Sequence, residues 1–581
     1  MEGEPDRNGG ARLAEGVAAL GVRTLFTLCG GHISPILVGA RRAGLRVVDV
    51  RDEAAAVFAA DAAARLSGTV GVAVVTAGPG VTNALTALQN AYLAQSPVIL
   101  IGGAAPAVLR GRGALQDIDQ LGVVRPHVKW AARARRVRDL VPLLYEAAAR
   151  AQADVPGPVF LDCALDLLYD EAIVREWYGA GGGSGRALRA RIERWYLRRH
   201  VNRMFGTVSA SVEVPTPRVT PAPRADQIAK VVEMLTAAER PVLLLGSQAV
   251  SRVDRADALA ASVGALGVPT FLSGMARGLL GRRHDVLYRH RRRDALRDAD
   301  LVLLAGVPCD FRLDYGRHIG RGARLVAANL SRREARRNRR PTLTAVGDAG
   351  AFVTAVGDGA ASDWGRWTAW RAELRARDEA RATEIARMAA EPGERVNPIA
   401  LCRAIEEAAP DDAVFVLDGG DFVATASYVL APRGPLRHLD PGVFGTLGVG
   451  GGFALGAAAA RPGAEIWVLY GDGAAAFSLA EFDTFVRHGI PVIAVVGNDA
   501  SWTQIARDQV TLLGDDVGTV LRRTDYHVVA QGLGANGLLA THTAQVPAIL
   551  AEARALAGRG RPVLVNALLD RTEFRRGSIS M

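Results

Sequence analysis

Lysine is almost absent from this chain of 581 residues. Only Lys129 and Lys230 occur among its 70 basic residues, so arginine supplies nearly all of the positive charge behind the formal net charge of +10. An excess of this kind can indicate a nucleic-acid partner. However, the densest basic cluster, residues 289–293, contains no interleaved aromatic residue and fits no DNA-binding motif. We therefore expect no nucleic-acid partner, and the cluster predicts either a solvated basic face or a site for an anionic small molecule.

Cysteine and long apolar runs are scarce as well. The four cysteines lie far apart and form neither a CxxC pair nor a disulfide framework, so we expect buried, reduced thiols. They are Cys29, Cys163, Cys309 and Cys402. No run of ~18 uninterrupted apolar residues predicts a membrane span, and residues 1–6 do not resemble a signal peptide. We expect a cytoplasmic protein without a membrane partner.

The length suits about three domains of ordinary size, and three blocks of alternating strands and helices appear. This rhythm predicts an α/β protein with three doubly wound parallel-sheet domains. The predicted boundaries are 7–180 for the first domain, 181–223 for a glycine- and proline-rich linker, 224–385 for the middle domain and 394–581 for the third domain with its C-terminal tail. The predicted strands are 24–28, 46–50, 70–76, 97–101 and 159–161, then 241–245, 270–272, 301–304 and 324–327, then 413–417, 465–470, 491–496 and 562–565.

The most informative motif is Gly471-Asp472-Gly473, which follows the apolar run 466–470. After 24 further residues the pair Asn498-Asp499 follows a second apolar run. Parallel strands end at one edge of a sheet, so both polar groups are expected there. A carboxylate is a ligand that Mg²⁺ prefers, and glycines at a helix start let the backbone approach a phosphate closely. The two motifs together predict a bound diphosphate with its metal.

This segment resembles the signature of thiamine-diphosphate enzymes, in which GDG is followed by a pair of asparagines. The second asparagine of that pair is Asp499 in this chain, which adds negative charge beside the diphosphate. The resemblance implies that Mg²⁺ is bound by the side chains of Asp472 and Asp499 and by the backbone carbonyl of Ser501.

The resemblance extends over essentially the whole chain. It is carried by stretches such as 114–120, 274–281, 309–312, 481–488 and 497–500, and the chain is similar to the family of acetolactate synthases, benzaldehyde lyases, oxalyl-CoA decarboxylases and 2-hydroxyacyl-CoA lyases. In that family the first domain binds the aminopyrimidine of thiamine diphosphate and the third binds its diphosphate. The two halves of one site come from different subunits, which implies a homodimer or homotetramer. The middle domain binds ADP, FAD or nothing, and the sequence 246–248 leaves these alternatives open.

In the first domain the resemblance implies two groups of site residues. Glu53 matches the glutamate that hydrogen-bonds the aminopyrimidine and so promotes removal of the C2 proton of the thiazolium, and Pro79 and Asn83 lie in the glycine turn beside it. His32 and Gln116 match positions that face the thiazolium in the benzaldehyde-lyase branch. Because cleavage next to a hydroxyl group requires loss of the hydroxyl proton, we expect His32 to relay that proton.

In the third domain the turn after the first strand should border the diphosphate, and Leu447 should be the bulky residue that holds the cofactor in its V shape. The cofactor contacts implied here are Gly420, Asp421, Phe422, Leu447, Gly471, Gly473, Ala474 and Asp499.

The expected reaction follows from the similarity to 2-hydroxyacyl-CoA lyases of the acetolactate-synthase-like type. It is reversible cleavage of a 2-hydroxyacyl-CoA into formyl-CoA and an aldehyde or ketone, by a carbon–carbon lyase that needs thiamine diphosphate and Mg²⁺. Three alternatives stay open: a CoA-independent acyloin lyase or carboligase, an acetolactate synthase, and a cofactor-binding scaffold without activity. The sequence shows no CoA site, although the arginines of the middle domain and of residues 571–580 are candidates.

Overall fold

The computed structural model describes residues 8–180, 188–206, 213–214, 222–360 and 365–575. The predicted glycine run at 181–185 and the end of the C-terminal tail, from residue 576, lie outside the described residues. The chain divides into two compact units, 1–218 and 219–581. Each unit is described by itself.

The first unit contains one six-stranded sheet whose paired neighbours are all parallel. Its strands are β1 (Thr24–Thr27), β2 (Arg46–Asp49), β3 (Gly71–Val75), β4 (Val98–Ala104), β5 (Trp130–Arg133) and β6 (Val159–Ala164), in the order β2-β1-β3-β4-β6-β5. Its helices are α1 (Gly9–Ala19), α2 (Ser34–Arg42), α3 (Glu53–Ser67), α4 (Pro79–Asn83), α5 (Leu85–Ala94), α6 (Gln120–Val124), α7 (Leu140–Gln152), α8 (Leu165–Leu168), α9 (Glu171–Ala180) and α10 (Leu188–Met204). Strands β3, β4 and β6 are buried along their whole length, which explains their continuous apolar sequences.

The second unit begins with a five-stranded parallel sheet. Its strands are β7 (Pro241–Leu245), β8 (Thr270–Leu272), β9 (Leu301–Ala305), β10 (Arg324–Asn329) and β11 (Leu343–Val346), in the order β11-β10-β9-β7-β8. Its helices are α11 (Ala225–Ala237), α12 (Ala256–Leu266), α13 (Arg292–Asp298), α14 (Arg332–Ala335), α15 (Ala349–Gly359) and α16 (Thr368–Ala389).

A second six-stranded parallel sheet completes this unit. Its strands are β12 (Val414–Leu417), β13 (His438–Leu439), β14 (Ile466–Gly471), β15 (Val492–Asn498), β16 (Asn536–Ala540) and β17 (Val563–Leu568), in the order β13-β12-β14-β15-β17-β16. Its helices are α17 (Pro398–Ala408), α18 (Asp421–Val429), α19 (Val449–Ala460), α20 (Asp472–Ser478), α21 (Glu481–Arg487), α22 (Thr503–Leu513), α23 (Tyr526–Gly532) and α24 (Val546–Gly558).

The prediction of three parallel sheets is confirmed, and every predicted strand is present with ends that differ by at most three residues. The prediction omitted four strands: β5, β11, β13 and β16. All four lie at an edge of their sheet. The edge strands β5, β11 and β16 are only partly buried, so they lack the continuous apolar run by which the other strands were recognised.

Two other expectations need adjustment. The predicted linker contains helix α10, whose Val201 and Met204 are buried in the core of the first unit, so its first half packs as part of that unit. Three of the four free thiols are buried as expected, whereas Cys29 is exposed. Within the described ranges, no helix combines the length and the apolar character that a membrane span requires.

Candidate active site

Glu53 is the first residue of α3, at the carboxyl edge of the first sheet. The side chain of Asp52 caps this helix, which fixes Glu53 in its first turn. Glu53 is buried, and its Oε2 accepts a hydrogen bond of 3.1 Å from Asn83 Nδ2. Its Oε1 lies beside Gly80, where an added Cβ would come within 3.4 Å. Helix α4, which begins at Pro79, therefore supplies the amide partner of this carboxylate, and its Gly80 packs closely against both Glu53 and Thr76.

His32 follows β1 at the same edge of the sheet. Its Nδ1 lies 3.3 Å from the hydroxyl of Thr76, the residue directly after β3. A Cβ at Gly30 would reach the Thr76 side chain, and one at Gly103 would lie 2.7 Å from His32 Cβ, so both glycines are needed for this close packing. Burial lowers the pKa of His32 below its ordinary value, which keeps the imidazole neutral near pH 7.

Two glutamines hold the glycine turn after β3. Gln116 has a φ of 62°, and its carbonyl oxygen would lie 2.7 Å from a Cβ at Gly78. Gln120 is buried; its Oε1 accepts from Gly78 N at 2.8 Å, and its Nε2 donates to Gly103 O at 3.0 Å. Gln120 thus joins the turn after β3 to strand β4. No role was predicted for it, although it occupies the same sequence motif as Gln116.

We call the side chains of His32, Glu53, Thr76, Asn83 and Gln120 the Glu53 cluster. With Gln116, they collect around the turns that follow β1, β2 and β3, as the sequence predicts for the first domain.

Asp472 begins α20, at the carboxyl edge of the third sheet. Its Oδ1 accepts from Gly473 N at 2.8 Å, its Oδ2 accepts from Ser501 N at 3.3 Å, and its carbonyl accepts from the hydroxyl of Tyr526 at 2.8 Å. Burial, together with the charge of Asp499, raises the pKa of Asp472 to about 6. Burial likewise raises the pKa of Asp499. Two partly desolvated carboxylates therefore share one small region.

This arrangement fits a divalent cation. Burial and mutual repulsion disfavour the charges of Asp472 and Asp499, and a bound cation would relieve both penalties. Among the described residues, no group of three or more His, Cys, Asp or Glu side chains is arranged to hold a metal. The remaining ligands would be the Ser501 carbonyl, water and diphosphate oxygens, which suits Mg²⁺. Asn498 Nδ2 donates to Asn566 Oδ1 at 3.2 Å and to the Thr524 carbonyl at 3.1 Å, whereas its buried Oδ1 has no hydrogen-bond partner among the described residues.

Glycines line the turn next to Asp472. A Cβ at Gly471 would lie 2.7 Å from the Gly419 carbonyl oxygen, and a Cβ at Gly473 would overlap the ring of Trp502. Gly420 has a φ of 113°, which side-chain-bearing residues rarely adopt. The glycines at these two strand ends thus form a stretch of bare backbone, here called the cradle, which a diphosphate can approach closely.

The neighbouring predicted residues lie on α18 and α20. Asp421 begins α18, and its Oδ1 accepts from Arg507 Nη2 at 2.8 Å. Phe422 is buried against Gly497, so it serves the core of the domain. Ala474 lies in the first turn of α20, close to the cradle.

Leu447 lies against the cradle, because a Cβ at Gly419 would overlap its side chain. The loop that carries it is held by Asp418, a buried residue for which no role was predicted. Asp418 accepts hydrogen bonds from Gly448 N at 2.9 Å and from Gly450 N at 2.7 Å. Burial raises the pKa of Asp418 to about 7. We call Asp418, Leu447, Asp472, Asp499 and Ser501 the Asp472 cluster.

In comparisons with known proteins, family models match the parts of the chain that carry both clusters. Models of the thiamine pyrophosphate enzyme match residues 7–123 (N-terminal TPP binding domain), 228–356 (central domain) and 418–567 (C-terminal TPP binding domain). The proteins named 2-hydroxyacyl-CoA lyase 2 of Bos taurus and Homo sapiens are each 49% identical over 99% of this chain and 92% of their own length. An acetolactate synthase large subunit of Mycobacterium tuberculosis is 33% identical over 97% of this chain and 95% of its own.

Proposed function

This chain belongs to the thiamine pyrophosphate enzyme family, and from that premise we propose that it cleaves 2-hydroxyacyl-CoA thioesters reversibly into formyl-CoA and an aldehyde or ketone. The observation that carries the proposal is the identity of 49% to 2-hydroxyacyl-CoA lyase 2 over nearly the whole chain. The acetolactate synthase relative reaches 33% over a similar length, which makes pyruvate condensation the weaker candidate.

The reaction sets clear chemical demands. The bond between C1 and C2 of the acyl chain breaks, the C2 hydroxyl group loses its proton and becomes the carbonyl of the aldehyde or ketone, and C1 takes up a proton and leaves as the formyl thioester. Bound thiamine diphosphate supplies the nucleophilic carbon and the electron sink that such a cleavage needs. The protein must bind the cofactor, orient the substrate and move two protons.

His32 is suited to accept the hydroxyl proton. Its neutral ring is a base near pH 7, and the contact with the Thr76 hydroxyl fixes the orientation of the ring. Gln116 lies in the adjacent loop and can orient the substrate oxygen through its side-chain amide.

Glu53 is suited to bind the aminopyrimidine ring. Its Oε2 accepts from Asn83, whereas its Oε1 lies beside Gly80 and accepts no hydrogen bond from the described residues, so it is the oxygen that would meet a ring nitrogen. A buried carboxylate in hydrogen-bonding contact with a ring nitrogen can shuttle a proton to and from it, which is the role of the matching glutamate in this family.

The Asp472 cluster is suited to hold the diphosphate with Mg²⁺. Asp472, Asp499 and the Ser501 carbonyl supply three oxygen ligands, and the glycine cradle beside them leaves space for phosphate oxygens. Leu447, packed on Gly419, supplies a bulky apolar support under the cofactor.

We expect the working enzyme to be a homodimer or homotetramer in which one copy supplies the Glu53 cluster and another supplies the Asp472 cluster. Apolar side chains stay exposed on α20, which begins at Asp472, and on α22, which begins two residues after Ser501, namely Phe477 at 64%, Leu512 at 72% and Leu513 at 77%. Apolar surface of this kind favours contact with another protein surface.

Complementation tests this arrangement. A protomer with Glu53→Ala, co-expressed with one carrying Asp472→Ala, would rebuild one intact site in each mixed dimer only if the two clusters come from different copies. Restored activity in mixed dimers purified through two different tags is expected. If each site were formed by a single copy, every site in the mixture would stay inactive.

The direct test of the reaction uses the purified protein with thiamine diphosphate and Mg²⁺. Incubation with a 2-hydroxyacyl-CoA should produce formyl-CoA and the matching aldehyde in equal amounts, measured by mass spectrometry. Parallel incubations contain a CoA-free acyloin or pyruvate, and the Asp472→Ala variant serves as the blank. Turnover of the free acyloin at the same rate would favour a CoA-independent lyase, and 2-acetolactate formed from pyruvate would favour a synthase.

A further inference from the structure

The second unit contains a cavity of about 800 Å³ that no step of the proposed reaction uses. One wall comes from the end of β8 and the segment that leads into α13. The opposite wall comes from the C-terminal end of α18, at Ser427 and Tyr428. Its volume lies within the range of about 300–1,000 Å³ that is typical of sites for small molecules.

The cavity is strongly cationic. Within the described part of the chain, seven arginines line it and only two carboxylates, Asp294 and Glu384, stand among them. Both carboxylates are already paired, Asp294 with Arg297 at 3.2 Å and Glu384 with Arg381 at 2.5 Å. The cavity therefore keeps an excess of positive charge that its own acidic residues do not balance.

Two of the arginines hold the cavity walls together. Arg277 donates to the carbonyl of Ser427, and Arg289 donates to the carbonyls of Val429 and Leu430. These carbonyls belong to the end of α18 and are neutral, so the contacts do not neutralise either guanidinium group, while burial lowers the pKa of both. The contacts fix the positions of the cationic groups before any ligand arrives, which lowers the cost of binding an anion.

Two further arginines are available to a ligand. Arg291 and Arg293 are exposed, and in the described ranges neither side chain makes a hydrogen bond or an ion pair. Guanidinium groups bind phosphate oxygens in a bidentate manner, and several of them around one cavity suit a ligand with more than one phosphate group.

Helix α18 relates this cavity to the Asp472 cluster. The helix begins at Asp421, directly after Gly420 of the glycine cradle, and reaches the cavity at Tyr428. Seven residues at about 1.5 Å of rise each separate the two points by about 10 Å. A ligand with its phosphates in the cavity therefore needs an arm of about this length to reach the cradle.

We propose that the cavity binds the phosphorylated adenosine end of coenzyme A in the thioester substrate, while the pantetheine arm extends toward the cradle. The inference rests on the proposed function, because that function requires a CoA thioester. A free adenine nucleotide such as ADP shares the phosphate chemistry, and the experiment separates the two sources.

Binding is measured by titration calorimetry on the protein loaded with thiamine diphosphate and Mg²⁺. The variant is Arg291→Gln/Arg293→Gln, in which both changes are exposed. The control is Arg332→Gln/Arg333→Gln, which removes the same charge at exposed positions on α14. This helix connects β10 to the edge strand β11, whereas the cavity adjoins β8 at the opposite edge of the sheet. The Kd for CoA should rise at least about tenfold in the variant and stay constant in the control, since two charge-assisted contacts are lost. ADP should bind more weakly than CoA to the unaltered protein.

A Kd for CoA that is equal in the variant and the unaltered protein would overturn the assignment. The assignment would also be overturned if ADP bound as tightly as CoA and lost the same affinity in the variant, because the cavity would then be a site for free nucleotides.

A kinetic comparison separates this inference from the proposed function. The ratio of kcat/KM for a 2-hydroxyacyl-CoA to kcat/KM for the matching 2-hydroxyacyl-pantetheine, which lacks the phosphorylated adenosine, should fall at least about tenfold in the variant. An unchanged ratio with active enzyme would refute the cavity and leave the reaction intact. Failure of the unaltered enzyme to cleave either thioester would refute the reaction, while weakened CoA binding in the variant would still support the cavity.

Discussion

The first and third sheets follow the same plan but carry opposite chemistry at their carboxyl edges. When the strands of each sheet are numbered from 1 in chain order, both sheets have the strand order 2-1-3-4-6-5, and all neighbouring strands are parallel. At the first edge the polar groups of the Glu53 cluster are mostly neutral: two amides, a hydroxyl, a neutral imidazole and one carboxylate that an asparagine already binds. At the third edge three carboxylates, Asp418, Asp472 and Asp499, have raised pKa values because of burial.

This difference shows that the turns after the strands, rather than the sheet, decide what each edge can bind. The first edge offers single, well-placed hydrogen-bonding groups, which suits a ring with nitrogen atoms. The third edge concentrates negative charge that only a cation can stabilise, which suits a metal and its diphosphate. Each of the predictions below disturbs one edge and leaves the other in place.

The largest effect is expected from Asp472→Ala at the third edge. The substitution removes a carboxylate ligand of the metal while the diphosphate keeps its charge, so Mg²⁺-dependent binding of thiamine diphosphate should be abolished in titration calorimetry. Asp516→Ala removes an exposed carboxylate of the same domain and is the matched control. Undiminished cofactor affinity in Asp472→Ala would remove the metal from this edge.

A smaller loss is expected from Glu53→Gln at the first edge. The shape of the side chain is kept, so the cofactor should still bind. Exchange of the cofactor C2 proton, followed by NMR, and turnover should both slow by about two orders of magnitude or more, the scale of general acid–base assistance. Glu146→Gln, on the exposed face of α7, is the control. Exchange at the unaltered rate would reduce Glu53 to a residue that only begins a helix.

A smaller effect again is expected from His32→Ala, which leaves the glycine turn around it in place. The variant should bind cofactor normally and lose about 10²-fold in carbon–carbon cleavage, because one positioned base is missing. In the unaltered enzyme kcat/KM should fall on acidification. Since burial lowers the pKa of His32, the midpoint of that fall should lie below pH 6.5.

His127→Ala, which loses a contact with Gln89 in the same unit, is the control. Equal kcat/KM in His32→Ala and the unaltered enzyme from pH 5.5 to 8 would remove His32 from the reaction.

Every strand in the interior of a sheet was predicted from the sequence, and of the six edge strands only β2 and β8 were. Strands such as β4 and β15 are buried on both faces and therefore appear as continuous apolar runs. An edge strand needs no such run. Strand β16 is mostly half-buried, and strand β13 has only two residues, so neither leaves a local pattern that differs from a loop. The missing information is the position of each strand in the sheet, which depends on contacts distant in sequence.

Among the polar residues, those in known motifs were recognisable and those that support the motifs were not. Asp472 lies in a glycine motif, and Glu53 follows a strand at a helix start. Gln120 and Asp418 instead act through hydrogen bonds to Gly78, Gly448 and Gly450, residues 30 to 42 positions away. The one sequence signal that could have identified Asp418 was its position as a polar residue at the end of a buried strand.

The smallest effect is expected from Asp418→Asn, which tests that support. The amide can accept one of the two backbone hydrogen bonds but its NH₂ group faces the other donor, so the loop that carries Leu447 should loosen. We expect faster hydrogen exchange at the Gly448 and Gly450 amides and a loss of about 1–3 kcal/mol in unfolding free energy at pH 5.

The loss of unfolding free energy in Asp418→Asn should become smaller as the pH rises. Folding raises the pKa of Asp418 from 3.8 to about 7, so the folded protein binds its proton more tightly than the unfolded chain does. This group therefore stabilises the unaltered protein fully below pH 4, and that contribution is lost as the pH rises through 7. Asparagine does not titrate, so the difference in unfolding free energy between the two proteins should narrow between pH 4 and 7. Asp348→Asn, which alters the half-buried cap of α15, is the matched control. A constant difference across this range would mean that the Asp418 carboxyl is already ionised at low pH, and that the third edge holds its charge more readily than burial alone predicts.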